Sequence, residues 1–92
     1  MLIQNRFTGS KGAFFIEEDE DVLAELVYAL SDDKMIIEHT QVAPEFQGKD
    51  VGYELVHTAV EYARMNNYKI LPVCRFAKAV FDKKPDFSDV LA

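Results

Sequence analysis

The sequence predicts an α+β protein built on one mixed β-sheet, in the order β-β-β-β-α-β-α. Residues 5–42 contain short β-branched and aromatic segments separated by Gly and Asp turns, a pattern typical of an antiparallel meander. From Val51 onwards the apolar residues recur at helical spacing, and a short apolar segment follows them. Because a strand, a helix and a strand in this order form a right-handed parallel unit, we expect the meander to end in a parallel pair.

The meander is expected to have four strands. The turns between them are rich in Gly, Asp and Ser, whose side chains or conformational freedom favour tight turns. The third segment, "VLAELVYAL", also contains Leu, Ala and Glu that would suit a helix, but its β-branched residues favour a strand. The predicted strands are residues 5–8, 13–18, 22–30 and 35–42.

The segment 51–66 is predicted to form the main helix. Val51, Leu55, Ala59 and Ala63 fall on one face, and polar residues fall on the other. Asn67 follows as a residue that commonly ends a helix.

The segment 68–73, "YKILPV", is nearly all apolar and is predicted to be a fifth strand buried on both faces. Pro72 removes one donor from its hydrogen-bond ladder, so the parallel pair is expected to splay apart there. A second helix over residues 75–84 is expected to end before Pro85.

The composition predicts a single domain over residues 1–92, because 49% hydrophobic residues and seven Phe can fill one modest core. The net charge of −6 argues against nucleic-acid binding, which needs clustered Lys and Arg. The lone cysteine excludes an intramolecular disulfide and fits a reducing compartment. Since the sequence has neither a signal-peptide pattern nor an apolar run of about 18 residues, we expect a cytoplasmic protein outside the membrane.

The loop "APEFQGKDVG" before the main helix is a candidate anion site. In a parallel strand pair the two following helices begin at the same edge of the sheet, and each N-terminus carries a partial positive charge. Gly48 and Gly52 permit close backbone approach, and Gln47 and Lys49 can donate hydrogen bonds. The spacing matches neither the P-loop nor the G-x-G-x-x-G fingerprint, so a plain loop and helix start remains an equal interpretation.

Three residues are candidates for chemistry. Cys74 stands at the end of the fifth strand, just before a helix and beside Arg75, a setting that favours a thiolate; it could equally be a small buried hydrophobe. Glu38 and His39 lie on the fourth strand, on opposite faces by alternation, and either could act as a general base. A histidine with its hydrogen bonds satisfied within the sheet is the competing interpretation for His39. The acidic run 17–21 lacks metal-ligand spacing, and no metal site is predicted.

The segment "EHTQVAPEFQGKDVGYELVHTAVEYAR" resembles motif A of the GNAT superfamily of acyl-CoA-dependent N-acetyltransferases. That motif is a strand, a Q/R-x-x-G-x-G/A turn and a helix. Gln47 and Gly52 match its first and last defined positions, and Asp50 stands where a glycine is expected. With "PVCRFAKAVF" after it, the chain is similar to the minimal single-domain, YjdJ-type branch of this superfamily.

The resemblance implies binding of acetyl-CoA or CoA and an amine acceptor of unknown identity. The turn would hold the pyrophosphate, the end of the fourth strand would pair with the pantetheine amides, and Cys74 would lie near the thioester. The implied coenzyme contacts are Val42, Gln47, Gly48, Lys49, Asp50, Val51, Gly52, Phe76 and Lys78.

Two departures from the family pattern leave the function open. Asp50 adds a negative charge beside the expected phosphates. The second helix carries Phe76 and Phe81 but no tyrosine, the residue that often protonates the leaving thiolate in this family. The sequence therefore allows an acetyltransferase, a non-catalytic acyl-CoA-binding module, or an interaction domain that has lost the ligand.

Overall fold

A computed structural model describes residues 2–92. Met1, the first residue of the domain predicted over residues 1–92, lies outside the described part. The chain forms one five-stranded sheet in the order β1-β2-β3-β4-β5. The first four strands are antiparallel and β4 pairs with β5 in parallel, which confirms the predicted mixed sheet. The strands are β1 (Gln4–Thr8), β2 (Lys11–Glu18), β3 (Asp21–Ser31), β4 (Lys34–Val42) and β5 (Lys69–Pro72).

The turns of the meander are tight because their residues accept a left-handed backbone. Gly9, Asp19, Glu20 and Asp32 all have φ between 52° and 71°. Two-residue hairpin loops need such angles, and Gly and Asp adopt them at the lowest cost. The predicted turn at residues 31–34 is confirmed, with β3 and β4 reaching one residue into each side of it.

The main helix, α1, runs from Val51 to Asn66, as the apolar spacing predicts. It ends at Asn67, which has φ 60° and donates its backbone N–H to the carbonyl oxygen of Ala63. The second helix, α2, spans Arg75–Lys83 and ends before Pro85. Short 3₁₀ helices cover Pro44–Phe46 and Pro85–Val90. None of the helices formed by residues 2–92 could span a lipid bilayer.

Both helices pack on the same face of the sheet, and the core lies between that face and the helices. Its largest fully buried side chains include Tyr28, Leu26 and Leu55. Burying a leucine side chain stabilises a fold by roughly 1.5 to 3 kcal/mol. The sheet contributes Phe14, Ile16, Ala24, Leu26, Tyr28, Met35, Ile37 and Ile70, and α1 contributes Val51, Leu55, Val56, Ala59, Val60 and Ala63.

The prediction that β5 is buried on both faces is wrong. Ile70 is fully buried, but Leu71 is 45% exposed and Val73, just beyond the strand, is 56% exposed. The reason is that β5 ends the sheet and both helices cover the same face, so the other face of this strand meets solvent.

The prediction that Glu38 and His39 lie on opposite faces of the sheet is also wrong. The β3–β4 register shifts at this point: Tyr28 stands opposite Ile37, whereas Val27 stands opposite His39. Glu38 is therefore the extra residue of a β-bulge, where two residues oppose one and strict alternation stops.

The C-terminal segment is fastened to α1 by Arg64. The guanidinium donates from Nε to Asp89 Oδ2 at 3.0 Å and from Nη2 to Asp89 Oδ1 at 2.9 Å. It also donates to Glu61 and to the backbone carbonyl of Asp86. The hydrogen bonds from Arg64 lower the pKa of the Asp89 carboxyl below its ordinary value. Phe87 is buried beneath this clamp.

Candidate active site

The site begins where β4 and β5 part. Their pairing ends at Ile37 and Pro72. The backbone N–H groups of Val73 and Cys74 both donate to the carbonyl oxygen of Ile37, at 3.0 and 3.1 Å. Beyond this point β4 continues to Val42 while the chain after β5 turns into α2, so a gap opens between them. The sequence predicted a gap here, but the reason it gave, the missing N–H of Pro72, is wrong. The N–H of the next residue, Val73, bonds to β4, so the backbone nitrogen of Pro72 points away from β4.

The β4 backbone presents hydrogen-bonding groups to this gap. The N–H of Ala43 donates to the carbonyl oxygen of Leu23 at 2.7 Å, so the backbone groups of Ala43 point towards β3. Because alternate residues of a strand direct their backbone groups to opposite sides, those of Thr40 and Val42 point away from β3 and towards the gap. The Val42 carbonyl accepts a hydrogen bond from Gln47 Nε2 at 3.2 Å.

The N-terminus of α1 adds further donors at the mouth of the gap. Its first helical hydrogen bond runs from the N–H of Glu54 to the carbonyl oxygen of Asp50, at 3.0 Å. The N–H groups of Val51, Gly52 and Tyr53 precede this bond and have no acceptor within the helix. With the helix dipole, they form a positive end suited to an anion.

Asp50 adopts a backbone conformation that explains why motif A has a glycine at this position. It has φ 60° and ψ 19°, in the left-handed region. Glycine adopts this region freely, and aspartate is one of the few other residues that tolerate it. Its side chain makes no capping hydrogen bond to α1 and borders the gap, where it adds a negative charge.

These elements enclose a cleft of about 660 Å³. β4 forms its floor, the loop before α1 forms one wall, and α2 forms the other. The cleft is lined by Thr40, Val42, Phe46, Gln47, Gly48, Asp50, Val51, Gly52, Tyr53, Phe76, Val80, Lys83 and Lys84. Seven of the nine coenzyme contacts expected from the sequence are among them.

Two of the expected contacts lie outside this lining. Lys49 turns over the ring of Phe46, with its Nζ atom 5.8 Å from the ring centroid. Lys78 is exposed on the outer side of α2.

The sequence reasoning missed six lining residues: Thr40, Phe46, Tyr53, Val80, Lys83 and Lys84. Val80 could have been found, because it lies one helical turn after Phe76. Lys83 and Lys84 match the ordinary pattern of a helix C-terminus, where lysines suit the negative end of the dipole. Their place in the cleft depends on how the two helices cross, and local sequence gives no signal for that.

Gly52 lets the two walls of the cleft meet. A Cβ atom on this residue would lie 2.8 Å from Cζ of Phe76. The backbone of α1 therefore touches the Phe76 ring directly. Phe76 itself is 44% exposed, so its ring forms an apolar edge of the cleft beside the α1 N-terminus.

Cys74 caps α2 and lies against the floor of the cleft. Its Sγ atom accepts a hydrogen bond from the backbone N–H of Ala77 at 3.3 Å. The same sulfur lies 3.3 Å from Oγ1 of Thr40, which lines the cleft. The thiol is half-buried and stands behind Thr40, outside the lining itself.

The structure does not bring Glu38 and His39 to the cleft. Ile37 and Thr40 flank them, and both of these face the helices, so the bulge leaves Glu38 and His39 on the other side of the sheet. Glu38 forms an ion pair with Lys11. A catalytic role for either residue stays a prediction.

The comparison with known proteins agrees with this architecture. The sequence profile of the GCN5-related N-acetyl-transferase family matches residues 13–90. The chain belongs to this family. No curated protein matches the sequence.

Solved structures share the fold. The solution structure of a GCN5-like protein from Staphylococcus aureus is 33% identical, with a TM-score of 0.73, and the match covers 97% of this chain and 87% of that one. The ribosomal-protein-S18-alanine N-acetyltransferase from Escherichia coli is 12% identical, with a TM-score of 0.69, over 84% of this chain and 53% of that one. Aminoglycoside N-acetyltransferase AAC(6')-Iy in complex with CoA is 11% identical, with a TM-score of 0.63, over 83% of this chain and 67% of that one. The chain thus spans about half of the Escherichia coli enzyme.

Proposed function

We propose that this protein is an acetyl-CoA-dependent N-acetyltransferase that transfers an acetyl group to an amine. The observation that carries the proposal is the cleft at the parting of β4 and β5, where strand backbone groups that point away from β3 lie beside the α1 N-terminus. Membership of the GCN5-related family and the fold shared with an acetyltransferase solved with CoA support it.

The cleft matches the chemistry of acetyl-CoA along its length. The pyrophosphate would lie against the N–H groups of residues 51–53 and the loop at Gly48. The pantetheine amides would exchange hydrogen bonds with the backbone of Thr40 and Val42, as an added strand does. Phe76 and Val80 offer apolar surface to the pantetheine carbons.

The reaction needs an amine held against the thioester. The amine nitrogen attacks the carbonyl carbon, the carbon–sulfur bond breaks, and CoA leaves as a thiolate that takes up a proton, while the new amide nitrogen loses one. Holding both reactants in the gap would supply much of the acceleration by proximity. Glu38 or His39 could accept the amine proton only through a path around β4, because their side chains lie on its other face.

Cys74 offers a second route to the same products. Its sulfur would first attack the thioester carbon and release CoA, and the amine would then take the acetyl group from the cysteine. This route is supported by the position of the Cys74 sulfur beside Thr40, on the floor of the cleft. The cap formed with Ala77 gives the thiol a structural role as well, so its presence alone does not decide between the routes.

A non-catalytic acyl-CoA-binding module is the second candidate. It is favoured by the ion pair of Glu38 with Lys11 and by the absence of both candidate bases from the cleft lining. Such a module would bind acetyl-CoA and present it to a partner, without transfer.

The discriminating experiment measures thiol release from acetyl-CoA with a panel of amines, including diamines, amino sugars and peptides with lysine or a free N-terminus. Amine-dependent release that saturates with acetyl-CoA supports the transferase. If the protein binds acetyl-CoA but no amine of the panel raises thiol release above the buffer rate, the module replaces it.

A further inference from the structure

The end of the cleft farthest from Cys74 carries two lysines that the proposed reaction does not use. Lys83 and Lys84 both line the cleft, at the C-terminus of α2 and just after it. Among residues 2–92, no carboxylate lies within 4.0 Å of either ammonium group, whereas Lys11 and Lys34 each have one. In a protein of net charge −6, two unneutralised lysines on one cleft make a local positive field.

An aromatic ring stands beside these lysines. The Nζ atom of Lys84 lies 5.1 Å from the ring centroid of Tyr53. The Tyr53 ring is held in place by stacking on His57, with centroids 6.1 Å apart and planes 12° from parallel. The distal end of the cleft thus combines a flat aromatic surface with two exposed cationic groups.

The cleft therefore has two separate places for negative charge. The first is the α1 N-terminus, close to Phe76 through Gly52. The second is at the lysines that end α2 and follow it; the backbone of Lys83 lies about 10 Å farther along the helix axis than that of Phe76, given about 1.5 Å of rise per residue. A ligand that fills the whole cleft would need two anionic groups with an aromatic group near the second.

We propose that Tyr53, Lys83 and Lys84 bind the 3′-phosphorylated adenosine end of coenzyme A, so that the protein distinguishes CoA from dephospho-CoA. This inference rests on the proposed function. CoA has the required chemistry: a pyrophosphate in its middle, and an adenosine whose ribose carries a separate 3′-phosphate. The adenine can stack on an aromatic ring such as Tyr53, and lysines act on phosphate as point charges that tolerate varied geometry.

The test compares the dissociation constants of CoA and dephospho-CoA, which differ only in the 3′-phosphate. Calorimetry would be run on the unmodified protein, on K83Q, on K84Q and on the double variant. Lys34→Gln is the charge-matched control, because Lys34 starts β4 at the end of the sheet away from the gap. Lys84→Arg keeps the charge and serves as the conservative variant.

We expect the unmodified protein to bind CoA about three- to tenfold more tightly than dephospho-CoA, the range that two exposed charge contacts supply. The double variant should lose this preference through weaker CoA binding, with its affinity for dephospho-CoA unchanged. Lys34→Gln and Lys84→Arg should keep the preference. Added salt should reduce it in the unmodified protein.

Equal affinities in the unmodified protein would overturn the inference and leave the proposed function standing, as would a preference that survives in the double variant. Failure of both ligands to bind the unmodified protein would overturn the proposed function, and this inference with it. Because both lysines are exposed, their replacement should not affect folding, which the unfolding temperature of each variant checks.

Discussion

The Sγ atom of Cys74 lies 3.3 Å from the Oγ1 atom of Thr40, and this contact spans the point where β4 and β5 part. The sulfur also caps α2 through the N–H of Ala77. The residue therefore joins the floor of the cleft to the start of one wall, and any chemical role is combined with a structural one.

Replacing Cys74 by Ser and by Ala separates these roles. Serine is a strong N-cap residue and should keep α2 intact, whereas alanine should lower the free energy of unfolding by about 1 kcal/mol through loss of the cap. If the acetyl group passes through the cysteine, both variants lose amine-dependent thiol release. If transfer is direct, Cys74→Ser keeps it. Intact-mass spectra of the unmodified protein with acetyl-CoA check the same point, since the covalent route adds one acetyl group that neither variant acquires.

Asp50 combines a left-handed backbone with a negative charge, and two variants separate these effects. Asp50→Asn removes the charge and keeps a residue that tolerates φ 60°. Asp50→Gly removes the charge and also relaxes the backbone. We expect both to bind acetyl-CoA about two- to fivefold more tightly, because one repulsive contact near the phosphates is lost.

The control for this prediction is Asp32, which has φ 54° in the β3–β4 turn away from the cleft. Asp32→Asn should leave the dissociation constant unchanged. Affinity that stays constant in both Asp50 variants would show that the carboxylate does not face the bound phosphates.

Gly52→Ala should damage the cleft more than the fold. The new Cβ atom would come within 2.8 Å of the Phe76 ring, but that ring is 44% exposed and can move outward. We expect the free energy of unfolding to change by no more than about 1 kcal/mol, since alanine also favours the helix. The dissociation constant for acetyl-CoA should rise several-fold. Ala substitution together with Phe76→Leu, which makes room for the methyl group, should restore part of the affinity if the clash is the cause.

The clamp between Arg64 and Asp89 should make stability depend on pH. Hydrogen bonds from Arg64 lower the pKa of the Asp89 carboxyl in the folded state. A lowered pKa contributes stability that is complete above the ordinary carboxyl value of about 4 and is lost as the pH falls through the folded-state value.

We therefore expect Arg64→Gln to unfold at a lower temperature than the unmodified protein at pH 7, with the difference shrinking below about pH 4. Calorimetric unfolding from pH 2 to 7 measures this. Arg64→Lys, which keeps the charge but not the paired geometry, should fall between the two. A difference that is constant with pH would mean that Arg64 acts only by packing on Phe87, whose ring centroid lies 6.0 Å from its Cζ atom.

Local patterns were sufficient to predict most of the fold. The spacing of Val51, Leu55 and Ala59 defines α1, and Asp and Gly mark the hairpin turns, because both signals depend only on neighbouring residues. The position of the loop at residues 47–52 in the cleft followed from the right-handed crossover.

The remaining features depend on contacts between distant elements. The bulge that moves Glu38 follows from the register between β3 and β4, which alternation within one strand does not contain. The exposure of Leu71 follows from both helices lying on one face. The place of Lys83 and Lys84 in the cleft follows from how α2 crosses α1, and their pattern, typical of a helix end, does not reveal it.

The most direct test of the acetyl-CoA site is a titration followed by backbone amide NMR shifts. The account predicts saturable shifts for Thr40, Val42 and the amides from Gly48 to Tyr53, with smaller changes on β1 at the far edge of the sheet. Lys34, at the other end of β4, serves as the internal reference. An absence of shifts in the cleft at millimolar acetyl-CoA, or shifts confined to the open face of the sheet, would contradict it.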